Sequence, residues 1–248
     1  MINNAFINIW DKRVGAIAWD ANSNHATFEY APSFISQNIE LAPVKMPMHQ
    51  GRTIFSFPEL ADTTTFKGLP GLLADILPDR YGNALINTWL AQEGRAADSM
   101  NPVEMLCFIG KRGMGALEFE PAQPKGSDTA TKIELDNLVN IAAQILSNRE
   151  NFETDLSKDE QKALTDILKV GTSAGGARAK AVIAYNETTG EVRSGQADAT
   201  EGFTYWLIKF DGIKDSQFGA SWGYGRVEMA YNLMAVDCGI EMTECRIL

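Results

Sequence analysis

Between residues 171 and 237 the chain sets out, in order, a glycine-rich turn, a small apolar strand, a second strand with a lysine inside it, and a helix with a glutamate near its start. This order restricts the fold more than any other feature, because few architectures need a flexible turn and a strand-borne cation in one unit. The turn opens the stretch "GTSAGGARAKAVIAY", residues 171–185, which holds Gly171, Gly175 and Gly176 beside Ser173, Arg178 and Lys180. Two phosphate-binding templates fail on it. A P-loop needs Lys and then Ser or Thr after its last glycine, and Gly176 is followed by Ala177 and Arg178. A dinucleotide fingerprint leads from a strand into a helix with a different glycine spacing, whereas this turn leads into a strand.

A third template fits the order. In kinase-type sites a glycine-rich turn covers the phosphates, a lysine on a following strand contacts them, and a glutamate on the next helix holds that lysine by an ion pair. Lys209 lies inside "YWLIKF", on a strand expected to be largely buried, where an ammonium is costly unless it is paired or meets an anion. The next helix supplies Glu228 near its N-terminal end. Other readings compete at each position. The glycines suit a plain flexible turn, Ser173 an ordinary loop, and Arg178 and Lys180 a solvated surface. Lys209 can snorkel out from an edge strand, and Glu228 suits the positive end of any helix.

The rest of the chain frames this unit. "AFINIW" and "VGAIAW" flank a polar turn at "DKR", and "ATFEYAP" follows "DANSNH", which together predict a small antiparallel sheet. Ala84, Leu85, Thr88 and Trp89 give a helical face that ends at Gly94. Asp79 and Arg80, in "LPDRYG" just before it, are expected to pair locally and shape the turn. "NPVEMLCFIG" reads as a short helix with Pro102 in its first turn and Gly110 closing it, and "GALEFEP" as a strand. Pro and Gly in "PAQPKGSDTAT" mark a linker at 121–131. Apolar positions at helical spacing follow from Leu135 to Leu146, then a shorter helix at "QKALTDILKV". Val227, Tyr231 and Met234 line one face of a last helix, and "MTECRIL" looks like the opening of a further strand.

Several motifs in order resemble the HipA family, the serine/threonine kinase toxins of bacterial type II toxin–antitoxin pairs. "GLPGLLADILPDRYGNALI" and "GMGALEFEP" are similar to that family's N-terminal subdomain. "SAGGARAKA" resembles its phosphate loop, "WLIKF" its nucleotide-lysine strand, and "VEMAYNLMAVDCGI" its glutamate-bearing helix. The resemblance implies a nucleotide-binding set of Ser173, Gly175, Gly176, Ala177, Lys180, Lys209 and Glu228. Ser173 stands where the family autophosphorylates its loop, expelling the loop and silencing the kinase. Arg178 departs from the family pattern, which has a glutamine there; loop backbone N–H groups do most of the phosphate cradling.

The same resemblance implies ATP and Mg2+ as cofactors, a HipB-like DNA-binding antitoxin as partner, and a protein substrate in translation. It also implies a helical lobe with His-x-Asp-x-x-x-x-Asn and a metal-binding Asp. The chain has only His25 and His49, both far upstream, so neither catalytic residues nor metal ligands are expected within it. The expected fold is α+β: a HipA-like N-terminal subdomain over residues 1–125, then an incomplete protein-kinase-like N-lobe over 126–248, cut before the catalytic lobe and leaving a sticky face. The alternative is a non-catalytic binding or regulatory module that associates with a separate kinase chain or an antitoxin.

Bulk properties narrow the setting. A formal charge of −10 opposes direct grip on nucleic acid. No apolar run approaches the roughly 18 residues of a membrane span. Cys107, Cys238 and Cys245 form neither a metal set nor a disulfide framework, which predicts a cytoplasmic protein.

Overall fold

The computed structural model describes residues 2–48, 51–121, 178–195, 201–211 and 223–247. The chain opens with β1 (Asn4–Ile9) and β2 (Lys12–Asp20), joined at Trp10 and Asp11. Both turn residues have positive φ, 48° and 60°, as a two-residue hairpin turn requires if its twist is to match that of the strands. The turn therefore sits ahead of the expected "DKR", and Lys12 and Arg13 belong to β2. β3 (His25–Tyr30) buries every second residue, Ala26, Phe28 and Tyr30, as a half-covered strand should. With β4 (Ile54–Ser56) and β5 (Leu117–Pro121) these strands make an antiparallel sheet in the order β4-β3-β2-β1-β5.

One core lies against this sheet. Ile7, Val14, Ile17, Phe28, Tyr30 and Phe119 meet Phe34 of α1 (Pro32–Ile35), Leu73 of α2 (Gly71–Ala74), and Val103 and Leu106 of α4 (Pro102–Ile109). Burial pushes the Tyr30 phenol up to about 12, while its hydroxyl donates to the Met46 carbonyl at 3.2 Å. The start of α4 is set by its sequence: the Asn101 side chain accepts from the Glu104 N–H at 2.8 Å, and Pro102 takes the first position. Gly110, at φ 62°, closes it.

A second core joins the two halves of the chain. Tyr81, Leu85, Ile86 and Leu90 of α3 (Arg80–Gln92) pack with Ala181 and Ile183 of β6 (Lys180–Tyr185) and Val192 of β7 (Val192–Ser194). Trp206 and Ile208 of β8 (Thr204–Lys209) border the same cluster. These strands form an antiparallel sheet in the order β7-β6-β8. Glycine 195 has no room for a side chain, since a Cβ there would meet the Ile183 backbone at 2.7 Å. The chain then enters α5 (Tyr224–Asp237).

The architecture is α+β, as expected. Residues 240–247 form no regular element, so "MTECRIL" is not a strand in this structure. β4 and β7 are three residues each, too short to show a period of two in the sequence. The expected linker beyond Pro121, the two helices after it, His49 and Trp222 lie outside the described residues. No helix among the described residues is long and apolar enough to cross a membrane.

Candidate functional site

β8 ends at Lys209, and α5 begins 15 residues later with Glu228 one turn in. Lys209 Nζ donates to Glu228 Oε2 at 2.6 Å. Strand and helix thus bring together the lysine and glutamate that the sequence placed in one unit. The setting differs from expectation, however. Among the described strands β8 is an edge of its sheet, and the two side chains are 51% and 53% exposed. Lys209 therefore does not carry the burial cost attributed to it, and an exposed pair of this kind adds little stability.

The buried ammonium is Lys180. Its side chain is 4% exposed, and its Nζ donates to Asp79 Oδ2 at 2.8 Å and to the Arg178 carbonyl at 3.0 Å. Asp79 is shared between two tasks. Its Oδ1 accepts from the Gly82 N–H at 2.8 Å and caps α3, while Oδ2 takes Lys180. Asp79 does shape the start of α3, through this cap, but its ion-pair partner is Lys180, 101 residues away in sequence, and not the expected Arg80. No spacing rule in the sequence signals that pair.

The surroundings are apolar. The Lys180 ammonium lies 5.9 Å from the Tyr81 ring centroid. Tyr81 is fully buried, and its hydroxyl has no hydrogen-bond partner among the described residues. Burial first, and the Asp79 charge second, push that phenol well above its ordinary range.

Arg178, the departure from the family pattern, stacks its guanidinium 3.6 Å from the Tyr224 ring centroid. Tyr224 is the first residue of α5, so the start of β6 touches the helix that carries Glu228. Ser173, Gly175, Gly176 and Ala177 lie outside the described residues. Among the described residues no group of three or more His, Cys, Asp and Glu gathers as a metal site. His25 instead starts β3, its Nδ1 3.1 Å from the Ser23 carbonyl.

Beyond this pair of lysines, α5 and the tail present apolar side chains outward. Val227, Tyr231, Leu233, Met234, Val236 and Ile240 are all exposed, and Asn232 is the helix's buried residue.

The comparisons with known proteins fall on the same two halves. The model of the HipA N-terminal domain matches residues 5–120, and that of the HipA-like C-terminal domain matches residues 172–248. Among solved structures, a chain of the Shewanella oneidensis MR-1 toxin–antitoxin complex of HipA, HipB and operator DNA matches with a TM-score of 0.57 at 17% identity. That match covers 98% of this chain and 47% of the other, so the chain spans about half the length of its structural relative. At this identity the likeness speaks to the fold alone. No curated protein matches the chain.

Proposed function

This chain belongs to the HipA family, and from that premise we propose that it supplies the phosphate-binding half of a HipA-type toxin kinase, an ATP-dependent serine/threonine protein kinase. The observation that carries the reading is the Lys209–Glu228 contact at 2.6 Å. It joins a strand and the following helix in the order that kinase-type sites use to hold a phosphate-binding lysine. Exposure suits that role, because an ammonium that is oriented but not enclosed can still reach an incoming anion.

In this reading Lys209 holds the α and β phosphates of ATP, Glu228 orients it, and the 171–180 segment covers the γ phosphate, with Ser173 as the regulatory phosphosite. Lys180 is engaged with Asp79 and acts at the base of that segment. Among the described residues no cluster of carboxylates gathers that would hold Mg2+. A HipB-like antitoxin is the proposed partner, a component of translation the proposed substrate, and the cytoplasm the proposed setting.

Isothermal titration of Mg-ATP into the chain tests the assignment. Lys209→Ala is expected to weaken binding about tenfold. Tight binding that the substitution leaves unchanged would defeat it.

The second reading is a binding module without catalysis of its own. The exposed apolar face of α5 favours it, since a surface of this character ordinarily meets another protein surface. Reconstitution of phosphorylation with a separately supplied catalytic lobe separates the two, because a pure binding module would leave that lobe's nucleotide affinity unchanged.

A further inference from the structure

Asp79 belongs to the N-terminal half of the chain, yet its only described long-range polar partner is the first residue of β6. Lys180 is registered directly opposite Lys209 in the β6–β8 pair. Whatever fixes Lys180 therefore fixes the strand against which the proposed phosphate-binding lysine is aligned. Two like charges opposite each other on neighbouring strands repel. Here each is met by its own carboxylate, one from α3 and one from α5.

We propose that Asp79 is a positioning residue for the nucleotide site. Through Lys180 it pins the start of β6 to the N-terminus of α3, and so makes the N-terminal half part of the phosphate-binding machinery. The inference deepens the kinase reading and rests on it for the word nucleotide, while the pinning itself does not. Three observations carry it. The Lys180 side chain is 4% exposed, so its ammonium has little water to turn to if the carboxylate is lost. Its second bond, to the Arg178 carbonyl, holds the backbone just before β6. Arg178 in turn stacks on Tyr224, which leads into the helix of Glu228. A disturbance at Asp79 has a short path through these contacts to both members of the Lys209–Glu228 pair.

Capping and pinning can be told apart, because Asn caps a helix as well as Asp does but carries no charge. Asp79→Asn keeps the cap and removes the carboxylate charge from Lys180. Adding Lys180→Met removes the ammonium and offers the Tyr81 ring an apolar neighbour. Hydrogen exchange of the full chain, without nucleotide, is expected to quicken about tenfold in β6 and β8 for Asp79→Asn and to stay quickened in the double variant, which lacks the pin as well as the buried charge. Exchange in β1, β2 and β3 should not change. Mg-ATP affinity should fall several-fold in both variants.

Unchanged exchange in β6 and β8 would overturn the proposal, as would a return to the original rate in the double variant or a quickening that spreads across the first sheet. A chain that binds no Mg-ATP would remove the kinase reading and leave the exchange result to decide whether Asp79 pins the strand.

Discussion

Lys180 and Lys209 stand opposite each other across β6 and β8, one almost fully buried and one half exposed, and each ammonium is held by a different carboxylate. The two pairs obey different physics. Asp79–Lys180 is enclosed, so removing one partner strands the other in a poor dielectric. Glu228–Lys209 is bathed in water, so its loss costs the fold little.

The exposed pair should therefore separate binding from stability. Glu228→Gln is expected to weaken Mg-ATP binding several-fold while shifting Tm by less than about 4 °C. Titration calorimetry and a thermal melt on the same sample check both halves of that statement.

The enclosed pair should behave in the opposite way. Asp79→Ala removes a cap, about 1 kcal/mol, and breaks a buried charge pair, about 3–5 kcal/mol. Lys180→Met leaves behind a carboxylate that is partly exposed and still caps α3, so its loss should be smaller. Urea denaturation is expected to rank the midpoints with Asp79→Ala lowest and Lys180→Met nearer to the original protein.

Alkaline pH should weaken the fold. Tyr30 titrates at about 12 in the folded chain against 10 in the free side chain, chiefly because burial disfavours its anion. Between those values the unfolded chain has released a proton that the folded chain retains, so stability falls as pH rises. The contribution is fully present below about pH 10 and is gone by about pH 12. Denaturation midpoints at pH 8, 10 and 11 should fall in that order.

The thiols should divide two to one. Burial, with a smaller push from Glu104, raises Cys107 to about 12, while Cys238 and Cys245 are exposed. Since the thiolate is the reactive form, a thiol-exchange reagent at pH 8 should modify two cysteines quickly and the third only on denaturation.

The apolar face of α5 should bind hydrophobic probes. Tyr231 is 68% exposed and Met234 61%. Replacing both with Glu is expected to cut the fluorescence of a bound naphthalene-sulfonate dye by more than half without lowering Tm. Persisting fluorescence would place the dye elsewhere.

Much of the architecture was legible because it is local. Alternation from Ala26 to Tyr30 gave a strand, Asn101 and Pro102 with Gly110 bounded a helix, and loop, lysine and glutamate stood in a telling order. The short strands β4 and β7 are not legible, since three residues hold no measurable period. The edge position of β8 among the described strands is not written in the sequence, because strand order is a property of the assembled sheet; Lys209, expected on a largely buried strand, is half exposed.

By itself, then, the sequence determined most of the longer elements and the family, since periodicity, caps and turn residues act over a few positions and survive without knowledge of the fold. Tertiary structure alone decided which lysine is enclosed and which carboxylate meets it. Asp79 and Lys180 are brought within 2.8 Å only when α3 docks on β6, and burial, which makes that charge pair matter, does not exist until the two halves have packed.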